Sequence, residues 1–139
     1  MNVQKVLAEL TEFKSVVEKE LQKFKEIEFN KNDKEENFLS VELMGILSDL
    51  GFAVECTDYL NKSVAVEGIV NIKEGKFFIE NFELRNGDVI EVLDDGFWYK
   101  INIMKINNEY YAEHLTTLIK ENNILLGRIR LTENELLNR

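Results

Sequence analysis

Apolar side chains recur every three or four positions over the first 28 residues, which is the spacing of one helix face. They are Val3, Val6, Leu7, Leu10, Phe13, Val17, Leu21, Phe24 and Ile27. Glutamate and lysine alternate on the other face. The apolar spacing is also close to the 3.5-residue period of a coiled coil. Two packings therefore stay open, one against the next helix of the same chain and one against a second copy in a homodimer.

A second helix is predicted after a polar break at residues 30–35. Asp33 followed by Glu36 resembles a capping box, in which the two side chains satisfy free N–H groups at the helix start. Gly51 is placed to end this helix in the left-handed conformation. Residues 52–59 are then expected to form a strand or an irregular crossing. The apolar side of this second helix consists of Phe38, Leu39, Leu43, Ile46, Leu47 and Leu50.

Short alternating stretches dominate the rest of the chain and predict strands. Glycine or asparagine separates several of them, for example at Gly75, at Asn86-Gly87, at Gly96 and at Asn107-Asn108. Gly68 suggests a bulge, and residues 116–123 suggest a polar loop or short helical turn. The predicted strands are 64–72, 77–84, 89–93, 97–106, 109–115 and 124–131.

The predicted fold class is therefore α+β, with an N-terminal helical pair followed by a small, mostly antiparallel β-barrel or strongly bent sheet. The domain boundary is expected near residue 60, giving a helical module over 1–60 and a β-domain over 61–139. Barrel closure is favoured because it removes exposed sheet edges.

The composition narrows the class of function. The 139 residues have a net charge of −9, which opposes direct binding of nucleic acid and favours a protein partner with a basic surface. With one cysteine, no internal disulfide can form. No leader and no membrane span are expected, so the predicted location is the cytoplasm of a bacterial host. The absence of proline and the excess of lysine over arginine indicate an AT-rich bacterial or phage genome.

No pattern in the sequence predicts an enzyme, a cofactor or a metal site. Cys56 and His114 are the only candidates for a nucleophile and its base, and no signature surrounds either. The run Asp94-Asp95-Gly96 lacks the alternating ligands of a calcium loop and is typical of a turn.

Six acids within sixteen residues are opposed by Arg85 alone. If they line one face, their carboxylates can imitate phosphates and bind a basic groove. The alternative is an ordinary solvated surface. The predicted partner-binding residues are Glu80, Glu83, Asp88, Glu91, Asp94, Asp95 and the neighbouring Trp98.

Aromatic and basic residues lie close together along the later strands, and single-strand binders combine such stacking platforms with a positive groove. The alternative is that the aromatic rings fill and cover the barrel. The residues are Trp98, Tyr110, Tyr111, Lys100, Lys105, Arg128 and Arg130.

Residues 75–131 resemble a short β-domain of bacteria and mobile elements that has no assigned function. The resemblance rests on Gly87-Asp88-Val89-Ile90-Glu91-Val92, Gly96-Phe97-Trp98-Tyr99, Ile103, Tyr110-Tyr111 and Gly127-Arg128-Ile129-Arg130. It implies no catalytic residue and leaves the helical module unexplained.

The leading functional prediction is a non-enzymatic acidic interaction protein of a phage or mobile element. Its concrete form is an anti-CRISPR-like inhibitor of a nucleic-acid-binding host defence enzyme. The alternatives are a small barrel that itself binds single-stranded nucleic acid and a coiled-coil assembly protein.

Overall fold

The computed structural model describes residues 2–139. The chain divides into two units, the first ending at Asn61 and the second beginning at Lys62. The first unit is a pair of helices, and the second contains seven strands and two short helices. The predicted α+β class is confirmed.

Side-chain caps define where the two long helices begin. Helix α1 spans Val3–Phe24, and the Asn2 side chain accepts a hydrogen bond from the Gln4 N–H at 2.9 Å. Helix α2 spans Lys34–Asn61. The Asp33 carboxylate accepts from the N–H groups of Glu35 and Glu36, as predicted for a cap. The Glu36 carboxylate does not return to Asp33 but accepts from the Asn30 N–H at 2.7 Å.

Helix α1 packs antiparallel against α2 within the same chain. The Asn61 Nδ2 donates to the Thr11 Oγ1 at 2.9 Å, and Lys14 forms an ion pair with Asp58. From the first contact to the second, the position on α1 moves three residues toward the C-terminus and the position on α2 moves three residues toward the N-terminus.

The predicted end of the second helix at Gly51 is wrong, and residues 52–59 are helical instead. Gly51 lies inside α2 and is not among the residues with positive φ. The contacts of Asp58 and Asn61 with α1 hold the later turns of α2 in place. Tertiary packing thus overrides the helix-ending tendency of a single glycine.

Seven antiparallel strands form one sheet in the order β3-β2-β1-β7-β4-β5-β6, which curls into a half-barrel. The bent-sheet form of the prediction is the one observed. The strands are β1 Ser63–Lys73, β2 Lys76–Ile79, β3 Phe82–Glu83, β4 Val89–Asp94, β5 Phe97–Ile106, β6 Glu109–Ala112 and β7 Leu126–Leu131. The helices of this unit are α3, Leu115–Glu121, and α4, Glu133–Leu137.

Three hairpins turn through two residues that both have positive φ, namely Glu74-Gly75, Asp95-Gly96 and Asn107-Asn108. This is the type I′ geometry, whose twist matches that of the flanking strands. The predicted turns at these places are confirmed.

The strand prediction is wrong at two places between residues 64 and 84. The single strand expected over residues 77–84 is interrupted at Glu80, where φ is 53°, and its halves pair with each other as β2 and β3. The bulge expected at Gly68 lies instead between Val64 and Val66. The absence of a side chain at Gly68 serves a different purpose. A Cβ at this position would lie 2.3 Å from the Glu80 Cγ.

Alternate residues on one side of the sheet form the core of the β-unit. Leu115 and the partly buried Leu118 of α3 pack into this core. Helix α3 begins at Leu115, so the strand expected over residues 109–115 ends at Ala112. The buried core side chains are Val70, Phe77, Ile79, Leu84, Ile90, Val92, Ile101, Ile103, Leu115, Leu125, Ile129 and Leu131.

Among residues 2–139, helix α2 is the one segment long and apolar enough to cross a membrane, by length and composition. This differs from the prediction that the chain has no membrane span. The apolar stretch contains the carboxylates of Glu42 and Asp49. Each would cost about 3 kcal/mol at the centre of a bilayer.

Candidate interaction surface

Glu91, one of the predicted partner-binding residues, is buried in the β-unit and only 7% exposed. The Arg128 Nη2 donates to one carboxylate oxygen at 2.8 Å, and the Arg130 Nε donates to the other at 2.7 Å. A buried carboxylate needs such partners, because an unpaired charge in the interior is strongly destabilising. Glu91 is therefore a structural residue of the sheet.

Trp98 is half-buried, and the Arg128 guanidinium lies 4.0 Å from its ring centre. The Arg130 Nη1 also donates to the Lys62 carbonyl at 3.0 Å. If the protein bound single-stranded nucleic acid here, Arg128 and Arg130 would have to contact phosphate groups. Both arginines instead bind the Glu91 carboxylate. A base stacking on this face of Trp98 would have to displace Arg128.

Three further predicted acids have partners inside the β-unit. The Glu80 carboxylate accepts from the Ile69 N–H at 2.8 Å. Glu83 forms an ion pair with Lys76 at 2.9 Å, and the hydrogen bond to Glu83 raises the pKa of Lys76.

The third is Asp88, which joins two segments of the β-unit. Its carboxylate accepts from the Arg85 N–H at 2.6 Å and from the Arg139 Nη1 at 2.8 Å.

Asp94 and Asp95 stand apart from the other predicted site residues at the β4–β5 turn. Asp95 is exposed and Asp94 is half-exposed. Of the predicted acidic face, these two carboxylates are the ones most open to a partner, because the other four bind groups of their own unit.

The helical unit exposes far more apolar surface than sequence reasoning expected. Neither α1 nor α2 contains a buried residue. Solvent reaches more than a third of each of these apolar side chains: Val3, Leu10, Phe13, Val16, Phe24, Phe38, Leu39, Val41, Met44, Ile46, Leu50, Phe52 and Leu60. The apolar stripe predicted for α1 is only partly its packing face. Leu7, Val17 and Leu21 are half-buried, whereas Val3, Leu10 and Phe13 of the same stripe are exposed.

The first half of α2 has no counterpart on α1. Extending the Thr11–Asn61 and Lys14–Asp58 alignment places Phe24, the last residue of α1, opposite Ser48. Residues 34–47 therefore lie beyond the end of α1. In this stretch Phe38 is 57% exposed, Val41 60% and Met44 67%. We call residues 34–47 the free half of α2.

Charge on the two helices is distributed unequally. Helix α1 contains four lysines and four glutamates. Residues 35–61 contain six acids and no lysine or arginine. The acids are Glu35, Glu36, Glu42, Asp49, Glu55 and Asp58. The apolar surface of α2 is thus bordered by negative charge.

The predicted candidates for a nucleophile and its base lie on separate elements. The Cys56 side chain is half-buried on α2, and the exposed His114 imidazole lies 3.3 Å from the Glu113 carboxylate. Within residues 2–139, no group of three or more His, Cys, Asp or Glu side chains is arranged to hold a metal ion.

No protein-family model, curated protein or solved structure matches this chain. The resemblance of residues 75–131 to a β-domain of bacteria and mobile elements stays a prediction.

Proposed function

We propose that this chain is a non-enzymatic acidic interaction protein that binds a basic protein partner through α2. The observation that supports this is the free half of α2, where large apolar side chains are exposed beside carboxylates with no lysine or arginine in residues 35–47.

The exposed apolar side chains of the free half of α2 favour a partner that would bury them. Helices in proteins are stabilised mainly by burial of an apolar face, and isolated short helices are marginal in water. Large exposed apolar patches on soluble proteins mark interaction sites. Burial of an apolar side chain such as Phe38 or Met44 contributes about 1.5–3 kcal/mol. A groove that covers several of them supplies substantial binding energy.

Electrostatics supports a cationic partner over a second copy. Glu42 and Asp49 are exposed on the same helix as Val41 and Met44. Two copies of α2 brought together would oppose like charges, which is unfavourable by several kcal/mol in an interface. A groove that is apolar at its base and lined by lysine or arginine at its rim satisfies both features, in the manner of a helix bound in a groove.

Enzymes that handle nucleic acid present such basic surfaces. The inhibitor of a bacterial defence enzyme, encoded by a phage or mobile element, is the specific form of this proposal. Its support is the acidic charge and the surface of α2.

Affinity capture from a bacterial lysate, followed by titration of the purified partner, tests the proposal. The key variant replaces Phe38, Val41 and Met44 with serine, and a second variant is Glu42→Lys with Asp49→Lys. The matched control is Ile124→Ser with Leu137→Ser, which removes exposed apolar side chains from the β-unit.

We expect a partner with a basic surface that binds the wild type and the control alike. The triple serine variant should weaken binding by at least about tenfold, and the charge variant should remove its salt dependence. Equal binding by the triple variant would overturn the proposal. A wild-type dimer in light scattering that the triple variant dissociates would also overturn it, in favour of self-association.

A further inference from the structure

We infer that a groove beside β5 binds an extended cationic peptide segment, which joins the sheet as an added strand. This site belongs to the β-unit and is independent of the surface proposed on α2.

Strand β5 is ten residues long, and each of its two neighbouring strands pairs with only part of it. Strand β4 pairs with Phe97–Asn102, whereas β6 pairs only with Ile103–Ile106. Among the described residues, no strand lies beside Phe97–Asn102 on the β6 side. This half of β5 is therefore an exposed sheet edge of the kind that binds added strands.

The hydrogen bonds of Ile103 show which backbone groups point to this edge. The Ile103 N–H donates to the Asp88 carbonyl and its carbonyl accepts from the Gly87 N–H, both on the β4 side at 2.8 Å. Backbone groups alternate sides along a strand. Those of Trp98 and Asn102 consequently face away from β4, and Asn102 lines the groove.

The groove has the dimensions and lining of a peptide site. Its volume is about 750 Å³, and it lies between the edge of β5 and helix α3. Ile101 and Leu118 form apolar parts of its surface, and Tyr99 and Tyr111 are aromatic residues along it. Both tyrosines are about half exposed, so apolar side chains of a bound segment have surface to cover.

The charges that line the groove favour a cationic ligand. Asp94, Glu113 and Glu121 contribute three carboxylates, against the ammonium of Lys100. Phosphate groups are disfavoured here, because acids repel them, whereas lysine or arginine side chains of a peptide find charge partners. A peptide of alternating apolar and basic residues offers side chains to both the apolar and the acidic parts of this lining.

The test uses a capped hexapeptide of alternating lysine and valine, with the glutamate–valine hexapeptide as its counterpart. Backbone amide shifts of the full chain and amide hydrogen exchange are measured as peptide is added. We expect shift changes confined to Phe97–Asn102 and α3. Exchange of the Trp98 and Asn102 amides should slow by at least about tenfold, because a new strand occupies them.

A matched pair of substitutions on α3 locates the site. Thr117 lines the groove, whereas the neighbouring Thr116 is exposed but does not. Thr117→Arg should weaken peptide binding by at least about tenfold, by filling the groove with a like charge, and Thr116→Arg should leave it unchanged.

Three results would overturn this inference: no shift with the lysine–valine peptide, equal binding of the glutamate–valine peptide, or equal effects of the two arginine substitutions. Shifts that persist when N-methylation removes the peptide N–H groups would also overturn strand addition. The triple serine variant of α2 should bind this peptide normally, so the two proposals fail separately.

Discussion

Glu91 on β4 and Arg128 on β7 occupy paired positions in the sheet, and Arg128 joins the Glu91 carboxylate to the Trp98 ring. The Arg128 Nη2 lies 2.8 Å from Glu91 and the guanidinium lies 4.0 Å from the ring centre. The Arg130 Nε donates to the second carboxylate oxygen. One buried carboxylate thus pairs with two guanidinium groups, and Arg128 links β7 to Glu91 on β4 and to Trp98 on β5.

Replacing Glu91 with glutamine should destabilise the β-unit by about 3 kcal/mol, because it leaves two largely buried guanidinium groups without a counter-charge. Urea unfolding followed by Trp98 fluorescence measures this, since the ring lies against the affected arginine. The control is Asp95→Asn at the exposed β4–β5 turn, which should change the free energy of unfolding by less than about 0.5 kcal/mol. Equal values for the two variants would show that the buried ion pair contributes nothing.

Gly127→Ala should destabilise the β-unit by about 1–3 kcal/mol through overpacking. A Cβ at residue 127 would lie 2.4 Å from the Val70 Cγ2. Val70 is buried and β-branched, so its methyl group cannot rotate away freely. Val70→Ala in the same chain should relieve the clash, which a double-mutant cycle of unfolding free energies detects as a favourable coupling. Additive effects of the two substitutions would contradict the predicted contact.

The sequence was sufficient wherever local chemistry decides the structure. The pair Asp95-Gly96 sits between alternating apolar stretches, and both residues adopt the positive φ that a tight hairpin requires. Asp33 caps α2 as expected, because a side chain needs only its immediate neighbours to form that bond.

Tertiary contacts decided the rest, and these have no local pattern. Glu91 is an acid in a run of acids, and only pairing of β4 with β7 brings it against Arg128, 37 residues later in the chain. The groove beside β5 likewise depends on where β6 ends and α3 begins, which alternation of residues does not determine.

The ion pair between Lys62 and Glu135 makes stability depend on pH. The pKa of Glu135 is lowered from its ordinary value of 4.5, first by the hydrogen bond from Lys62 and further by the bonds with Thr132. A lowered pKa stabilises the fold above about pH 4.5, and this contribution is lost as the pH falls through the folded-state value.

Glu135→Gln should therefore lower the free energy of unfolding by at most about 1 kcal/mol near pH 7, since the Glu135 side chain is 42% exposed. The difference from wild type should shrink as the pH falls below about 4.5. Chemical unfolding at several pH values measures it, with Glu133→Gln in the same helical turn as the control. A difference independent of pH would contradict the assigned ion pair.

Gly51→Ala tests whether α2 continues through residue 51. Inside a helix, alanine is more favourable than glycine by about 0.5–1 kcal/mol. Nothing lies within 4 Å of a Cβ added at Gly51, so this gain should appear as increased thermal stability of the helical signal in circular dichroism. Gly45→Ala is the matched control, because Gly45 also lies in α2 with open space around it. If the helix instead ended at Gly51 in the left-handed conformation, alanine would strain the backbone there. Gly51→Ala would then destabilise the protein while Gly45→Ala still stabilised it.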